Sequence, residues 1–365
     1  MKKRILIIDD EQQVRDLIQK ILTRAGYIVF TASDGREGIE KLESIYVDLI
    51  ILDMYMPNMN GLEVLHYIKE KNLSNKPVLM LSGNYDAELR IECYKAGVYD
   101  FIAKPEQPEV ILKRIENGLK LGELIEFNEF MKIELFMAKK LQKYIFPEPD
   151  YTAEGINIHC WTLPLSDIGG DLFDYIHFRN NSLMFFVADV SGHSISASMF
   201  TAIVKMVFRN ALKISEDPGE ILTIMNNELS EILPTESFVT MFCGIIDCNS
   251  GHLRYSNAGH PTPYIIKSDN YEPIPGSDPF LGPIKDTKYE TRTTTVSKGE
   301  SLFIYTDGLN DLFDDNYNKI NVSFFLETIL ENKVQDEIVQ SIASEISSDR
   351  FIRADDCTVM LIKKQ

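Results

Sequence analysis

The sequence predicts an α/β chain in three successive parts: an N-terminal doubly wound five-stranded parallel sheet, a long connecting helix, and a C-terminal α/β sandwich. Three observations carry this expectation. Residues 1–118 alternate short apolar runs with amphipathic stretches, the pattern of strand–helix units with both sheet faces covered. Residues 119–146 hold helical periodicity without a proline. Beyond the two prolines at 147 and 149 the apolar runs become strand-sized and frequent. The expected divisions are therefore 1–118, 119–148 and 149–365.

Composition narrows the functional classes. The 365 residues carry 55 acids against 37 bases, a net charge of −18, which argues against a nucleic-acid backbone or an anionic membrane as partner. Cysteines 93, 160, 243, 248 and 357 are scattered, with no Cys-x-x-Cys pair. Reduced thiols in a cytoplasmic protein are expected rather than a disulfide frame or a zinc site. No apolar run reaches the roughly 20 residues of a membrane span, and no segment has the order of a signal peptide.

In the first part the elements follow in order: ILIID, a helical pattern over Glu11 to Ala25, IVFTA, a helix from Gly35, DLIILD, a helix from Leu62, PVLML, a helix from Asp86, YDFIAKP, and a last helix from Pro108. Function in a doubly wound sheet collects at the C-terminal ends of the strands. Those ends carry Asp9 and Asp10, Asp53, Ser82 and Lys104. Clustered carboxylates beside a lysine and a hydroxyl suit a Mg²⁺ site next to a phosphoryl-accepting Asp, because a hard cation takes oxygen ligands and the lysine offsets phosphoryl charge.

Over its whole length this part resembles the receiver domains of two-component response regulators. The matching residues are Asp9 and Asp10, Asp53 in LDMYMPNMNG, Ser82 in MLSG, Phe101, and Lys104 followed by Pro105. The resemblance implies that Asp53 accepts phosphate from a sensor histidine kinase. It also implies that Asp9 or Asp10, Asp53 and the carbonyl of Tyr55 hold Mg²⁺, that Ser82 and Lys104 contact the phosphoryl group, and that Phe101 is an aromatic switch. Pro105 would follow a cis bond that fixes the Lys104 loop.

In the connector, Leu121, Leu124, Asn128, Met131, Leu135, Ala138, Gln142 and Ile145 recur at alternating intervals of three and four. That is a heptad seam with two polar members. Either the helix pairs with its copy in a homodimer, with Asn128 fixing register, or it packs on its own domains.

In the third part, LMFFVADVSGH reads as a buried strand delivering Asp189 to a glycine turn, where the acid is either a ligand or a cap. SDIGGDLFDY places Asp171 after two glycines, FIYTDGL ends on Asp307, and RADDCTVMLI carries Asp355 and Asp356. Helices are expected near Ser196–Ile214, Pro218–Leu233 and within 322–347, and HLRYSNAGHPTPYII reads as a hairpin turning at Gly259.

The order GGD, DVSGH, NAGHP, YTDG and DD-x-T, with LQKYIFPEP at the entrance, resembles the SpoIIE-like branch of the PPM-type, metal-dependent protein serine/threonine phosphatases. The resemblance implies an α/β sandwich of that type. In it Asp189 bridges two Mn²⁺ or Mg²⁺ ions, the carbonyl of Val190 binds one, Asp307 and Asp355 complete the other, and Asp171 acts directly or through water. Asp356 is then a neighbour. Carboxylates are the donors such hard ions select, and two ions acidify a water for in-line attack on phosphorus. His193 and His260 are either general acids or turn histidines bonding to backbone. Ser194 stands where the family usually has Gly, and Asn310 and Asp311 replace the usual Thr and Glu.

The function implied is dephosphorylation of a phosphoserine or phosphothreonine protein under receiver control, with a small anti-sigma-factor antagonist as substrate. The rival reading is a non-catalytic adaptor that binds a partner in a phosphorylation-dependent way, against which the intact Asp171, Asp189, Asp307 and Asp355 argue.

Overall fold

The structure, a computed structural model, describes all residues except 1, 84–86, 105, 193–194, 333–337 and 348–349. It divides into two compact units, Met1–Ile133 and Glu134–Gln365. Among the described residues no helix is long and apolar enough to cross a membrane.

In the first unit β1 (Arg4–Ile8), β2 (Ile28–Ala32), β3 (Leu49–Asp53), β4 (Val78–Ser82) and β5 (Asp100–Ala103) form a parallel sheet in the order β2-β1-β3-β4-β5. Alternate residues of each apolar run point to opposite faces. Ile5 and Ile7 therefore pack with Ile18 and Leu22 of α1 (Gln12–Arg24), while Leu6 and Ile8 pack on the other face with Ile39 and Leu42 of α2 (Gly35–Ser44) and Val64 of α3 (Gly61–Glu70). Local signals set the helix starts. Asp34 caps α2 through the Glu37 amide, and Asn60 and Glu63 form a reciprocal capping box on α3. Helix α4 (Ala87–Ala96) precedes β5.

The last helix of this part and the connector are one element, α5 (Pro108–Ile145). Its first turns bury Ile111, Ile115 and Leu119. Glycines at 118 and 122 bring it against the sheet, because a Cβ there would lie 2.7 Å from Leu49 and 3.1 Å from Pro77. Of the heptad seam, Leu124 and Asn128 are exposed whereas Met131, Leu135, Ala138, Gln142 and Ile145 are half-buried. The helix shows instead an exposed apolar stripe of Phe127, Phe130, Ile133, Met137, Leu141 and Tyr144.

The second unit stacks two antiparallel sheets between pairs of helices. One sheet runs β14 (Arg292–Thr295), β11 (His252–Ala258), β10 (Val239–Asp247), β9 (Ser182–Val190), β8 (Asp171–His177). The other runs β13 (Tyr271–Pro273), β12 (Tyr264–Ile266), β15 (Ser301–Tyr305), β19 (Cys357–Lys364), β7 (Ile156–Leu163), β6 (Asp150–Ala153). A small sheet of β17 (Lys319–Ile320), β16 (Leu312–Phe313) and β18 (Ile352–Arg353) flanks them. Phe173, Phe185, Val187, Phe242, Ile304 and Met360 fill the space between the large sheets. α6 (Ile195–Ala211) and α7 (Pro218–Ile232) cover one outer face, α8 (Val322–Asn332) and α9 (Ile338–Ile346) the other. The expected hairpin around Gly259 does not form. β11 pairs with β10 and β14, β12 with β13 and β15, so the chain crosses there from one sheet to the other.

Candidate functional sites

In the parallel-sheet unit, strand ends gather the expected groups. Asp9 follows β1 and is fully buried, Asp53 is the last residue of β3, Ser82 the last of β4, and Lys104 follows β5. Lys104 Nζ lies 2.7 Å from Asp53 Oδ1 and 2.7 Å from Asp9 Oδ2. Asp9, Asp10 and Asp53 each offer an oxygen within 4.8 Å of the others, Asp10 from an exposed position. Three carboxylates against one ammonium leave net negative charge among hard oxygen donors, which fits Mg²⁺. Burial pushes the Asp53 carboxyl up to about 6, the Asp9 charge adds to this, and Lys104 opposes it. Tyr55 follows with an exposed ring, and the loop closes back through the Gly61 amide on the Met54 carbonyl at 3.0 Å. Only a glycine fits there, since a Cβ at 61 would lie 2.4 Å from the Asp53 carbonyl oxygen. Phe101 is buried, edge-on to Tyr94 at 5.2 Å with the Arg90 guanidinium 5.1 Å from its centroid. Pro105 lies outside the described residues.

In the second unit the acids come from both large sheets. Asp171 of β8 and Asp189 of β9 stand directly opposite each other, and Thr240 of β10 stands opposite Asp189 on its other side. Strand alternation puts Asp171 and Asp189 on the same face as Phe173 and Val187, at the end of the core between the sheets. From the facing sheet, Asp307 opens a 3₁₀ turn after β15, and Asp355 and Asp356 precede β19. Burial raises the Asp171 carboxyl well above the carboxylate range, Asp189's charge adds to this, and the Thr358 and Thr306 hydroxyls oppose it. Asp189 is pushed up to about 8 by burial and by the charges of Asp307, Asp355 and Asp356. Asp307 is raised by burial, then by Asp355 and Asp311. The leading charges on all three are other carboxylates, and buried like charges of this kind fit cations that neutralise them. Among the described residues, however, no three of these acids bring oxygens within 4.8 Å of one another.

The surrounding residues fix this arrangement. Thr306 donates its hydroxyl to Asp171 Oδ2 at 2.7 Å and receives the Thr358 amide at 2.9 Å. Asp356 spends both oxygens on backbone, accepting the Leu165 and Gly170 amides at 2.6 Å each. Gly169 and Gly170 are required there, because a Cβ would meet Asp356 Oδ2 at 2.7 Å or the Val190 carbonyl oxygen at 2.6 Å. Val190 itself donates to the Gly170 carbonyl at 3.2 Å. Gln142 of α5 donates to the Gly169 carbonyl at 2.7 Å. Sequence reasoning placed Gln142 in a helical seam and passed over Thr306; its place beside Asp307 in YTDG was the available signal.

His260 is buried, its ring 3.0 Å from the Thr240 hydroxyl and its backbone clamped by Asn257. Burial holds its imidazole down to about 3. His193 and Ser194 lie outside the described residues.

A parallel-sheet unit with a lysine-bridged acid cluster, followed by a four-layer sandwich with carboxylates at one end of its inner core, defines a receiver joined to a PP2C-type phosphatase domain. The profile of Stage II sporulation protein E (SpoIIE) matches residues 179–365, just over half of the chain, which belongs to that family. The match takes in Asp189, Asp307 and Asp355 and begins beyond Asp171. The response regulator receiver domain matches residues 5–116.

Chemotaxis protein CheY of Thermotoga maritima is 35% identical over 121 residues, 33% of this chain and 100% of that protein. The alkaline phosphatase synthesis transcriptional regulatory protein PhoP of Bacillus subtilis is 35% identical over 132 residues, 36% of this chain and 55% of that protein. The chain thus spans about half the length of that regulator. Among solved structures, the SiaA-PP2C domain of Pseudomonas aeruginosa aligns with a TM-score of 0.55 at 17% identity, over 65% of this chain and 98% of that one. The RsbU and RsbW domains of a Mycobacterium tuberculosis protein align at 0.50 and 21% identity, over 58% and 60%. At these identities the likeness is one of fold.

Proposed function

We propose that the chain is a response regulator whose output is hydrolysis of phosphoserine or phosphothreonine on a partner protein. Residues 1–118 act as receiver, 119–148 as helical linker and 149–365 as phosphatase. A sensor histidine kinase supplies phosphate to Asp53. Asp9 or Asp10, Asp53 and the Tyr55 carbonyl hold Mg²⁺, while Lys104 and Ser82 meet the phosphoryl oxygens and Phe101 reads the change. The substrate is a phosphorylated anti-sigma-factor antagonist, as the family resemblance implies.

In the phosphatase site Asp189, the Val190 carbonyl, Asp307 and Asp355 would hold Mn²⁺ or Mg²⁺, with Asp189 as the shared ligand and Asp171 acting directly or through water. Such ions, when bound, acidify a water for in-line attack on phosphorus and neutralise the developing charge. The chain's part is to aim the ligands: Thr306 orients Asp171, and Asp356 anchors the glycine turn in front of it. His260 is held beside them on the Thr240 hydroxyl. The observation that carries this reading is that Asp189 stands directly opposite Asp171 and feels the charges of Asp307 and Asp355 from the facing sheet. Phosphate release from a phosphoserine peptide, with Mn²⁺ and after chelation, tests it; release that survives chelation contradicts it.

The linker pairs with its copy in a homodimer and passes the receiver's state to the metal loop. Two contacts support that route: Gln142 on the Gly169 carbonyl, and the Lys205 amine of α6 on the carbonyl of Ile145, where α5 ends.

A further inference from the structure

Beside the phosphatase acids stands an aromatic ledge that neither the fold's core nor the acid site uses. The β9–β10 ladder continues one step past the strand ends. The Ser191 amide donates to the Phe238 carbonyl at 3.0 Å, and the Phe238 amide to Ser191 Oγ at 2.9 Å. Since Thr240 stands opposite Asp189, alternation places Phe238 on the same sheet face as Asp189, one step further out. Phe280 packs on Phe238, the rings tilted by 30° with centroids 4.6 Å apart, yet keeps 45% of its surface exposed, and Ile284, four residues on, is 62% exposed.

This loop is built, not loose. Leu281 is buried and exchanges both backbone hydrogen bonds with Val239, at 2.9 and 3.0 Å. The fully buried Asn226 of α7 grips the chain on both sides of Pro283, accepting from the Gly282 amide at 2.9 Å and donating to the Ile284 carbonyl at 2.8 Å. Tyr289 donates its hydroxyl to the Phe280 carbonyl at 3.2 Å. Phe280 also rests on Gly259, whose φ of +65° and missing Cβ make room for the ring; a Cβ there would lie 2.5 Å from it. A buried amide and a tyrosine hydroxyl thus fix the backbone of this loop, and a left-handed glycine makes room for its half-exposed phenyl ring. A rigid aromatic next to a polar site is how binding sites take an apolar group at small entropic cost.

We propose that Phe280, backed by Phe238, receives an apolar side chain adjacent to the phosphorylated residue of the protein substrate and so sets sequence preference. This rests on the phosphatase reading above. The occupant is argued from continuity with the acids: Phe238 continues the sheet face of Asp189 one ladder step further out, and Phe280 on it offers apolar surface to the residue next to a phosphoserine held at Asp189.

The test uses the full chain with Mn²⁺ and phosphoserine peptides differing only in Leu or Ala beside the phosphoserine, on either side. Burial of one leucine predicts that a Leu peptide is preferred about 5- to 20-fold in kcat/KM, expressed mainly in KM. In Phe280→Ser the preference falls to within about twofold of unity, and Phe280→Tyr keeps it, because the ring supplies the area. Equal rates on Leu and Ala peptides, or a preference unchanged in Phe280→Ser, overturn the ledge while leaving the phosphatase reading intact. A proportional loss on both peptides in Phe280→Ser shows a structural role and also overturns it. No release from any peptide sinks the phosphatase reading, and the ledge with it.

Discussion

Asp189 and Asp307 carry carboxyl groups at half-buried positions where burial and other carboxylates raise their protonation equilibria. An amide of the same shape relieves that repulsion but brings no negative charge to a metal ion. Asp189→Asn and Asp307→Asn are therefore expected to fold at least as well as the parent in the absence of metal and to lose turnover by orders of magnitude; parallel melts and phosphate-release rates check both halves. At Asp53 the expectation is simpler. Lys104 sits 2.7 Å from its oxygen, and Asp53→Asn should abolish labelling by a small phosphodonor; undiminished incorporation would remove Asp53 as acceptor. His260 gives a pH dependence. Its folded pKa is lowered to about 3 from 6.5, so the unfolded chain binds a proton between those values and the folded chain does not. The stability this group contributes is full above 6.5 and is lost as pH falls toward 3. Asp171 and Asp189, raised rather than lowered, act in the opposite sense in metal-free protein. The difference between parent and His260→Gln isolates the histidine: the parent's advantage in thermal midpoint should shrink from pH 7 to pH 4.

Helix α5 illustrates how an element carries two roles on two faces. Its half-buried side ends on Gln142, whose amide holds the turn in front of Asp171, and Gln142→Ala is expected to lower kcat about tenfold with little change in KM, the effect of losing one oriented hydrogen bond. Restoration by Gln142→Glu is not expected, since a carboxylate cannot donate to the Gly169 carbonyl. Its other side bears Phe127, Phe130, Ile133, Met137, Leu141 and Tyr144 in water. An exposed apolar stripe of this length on one helix calls for a partner. The expected result in sedimentation is a dimer of the full chain, and Phe130→Glu combined with Leu141→Glu should give a monomer without lowering the melting temperature; a monomeric parent excludes pairing. The seam of Leu121 to Ile145 had the right period, but heptad spacing alone does not say which stripe its own unit will cover.

At the scale of the molecule, receiver phosphorylation must favour one state of the phosphatase by about 1 kcal/mol or more to change its rate several-fold. Phosphate release measured before and after a small phosphodonor should differ several-fold in the parent and not at all in Asp53→Asn. A rate that responds equally in both would detach the output from the receiver.

The sequence by itself determined the alternation of strands and helices in both units, because period-two and period-3.6 apolar patterns are local properties. It also determined the acids at the strand ends, since a carboxylate after a buried run has few uses besides a ligand or a cap. Tertiary structure decided what depends on partners far along the chain. The Gly259 stretch crosses between sheets instead of turning back, because β10 and β14 already occupy both edges of β11. Asp356 became an anchor rather than a free acid because two amides of the 165–170 stretch meet it, and Gln142 left its seam for Gly169. Phe280 stands half in water against Phe238 because Asn226, some fifty residues away, fixes its loop, and no local pattern encodes that distance.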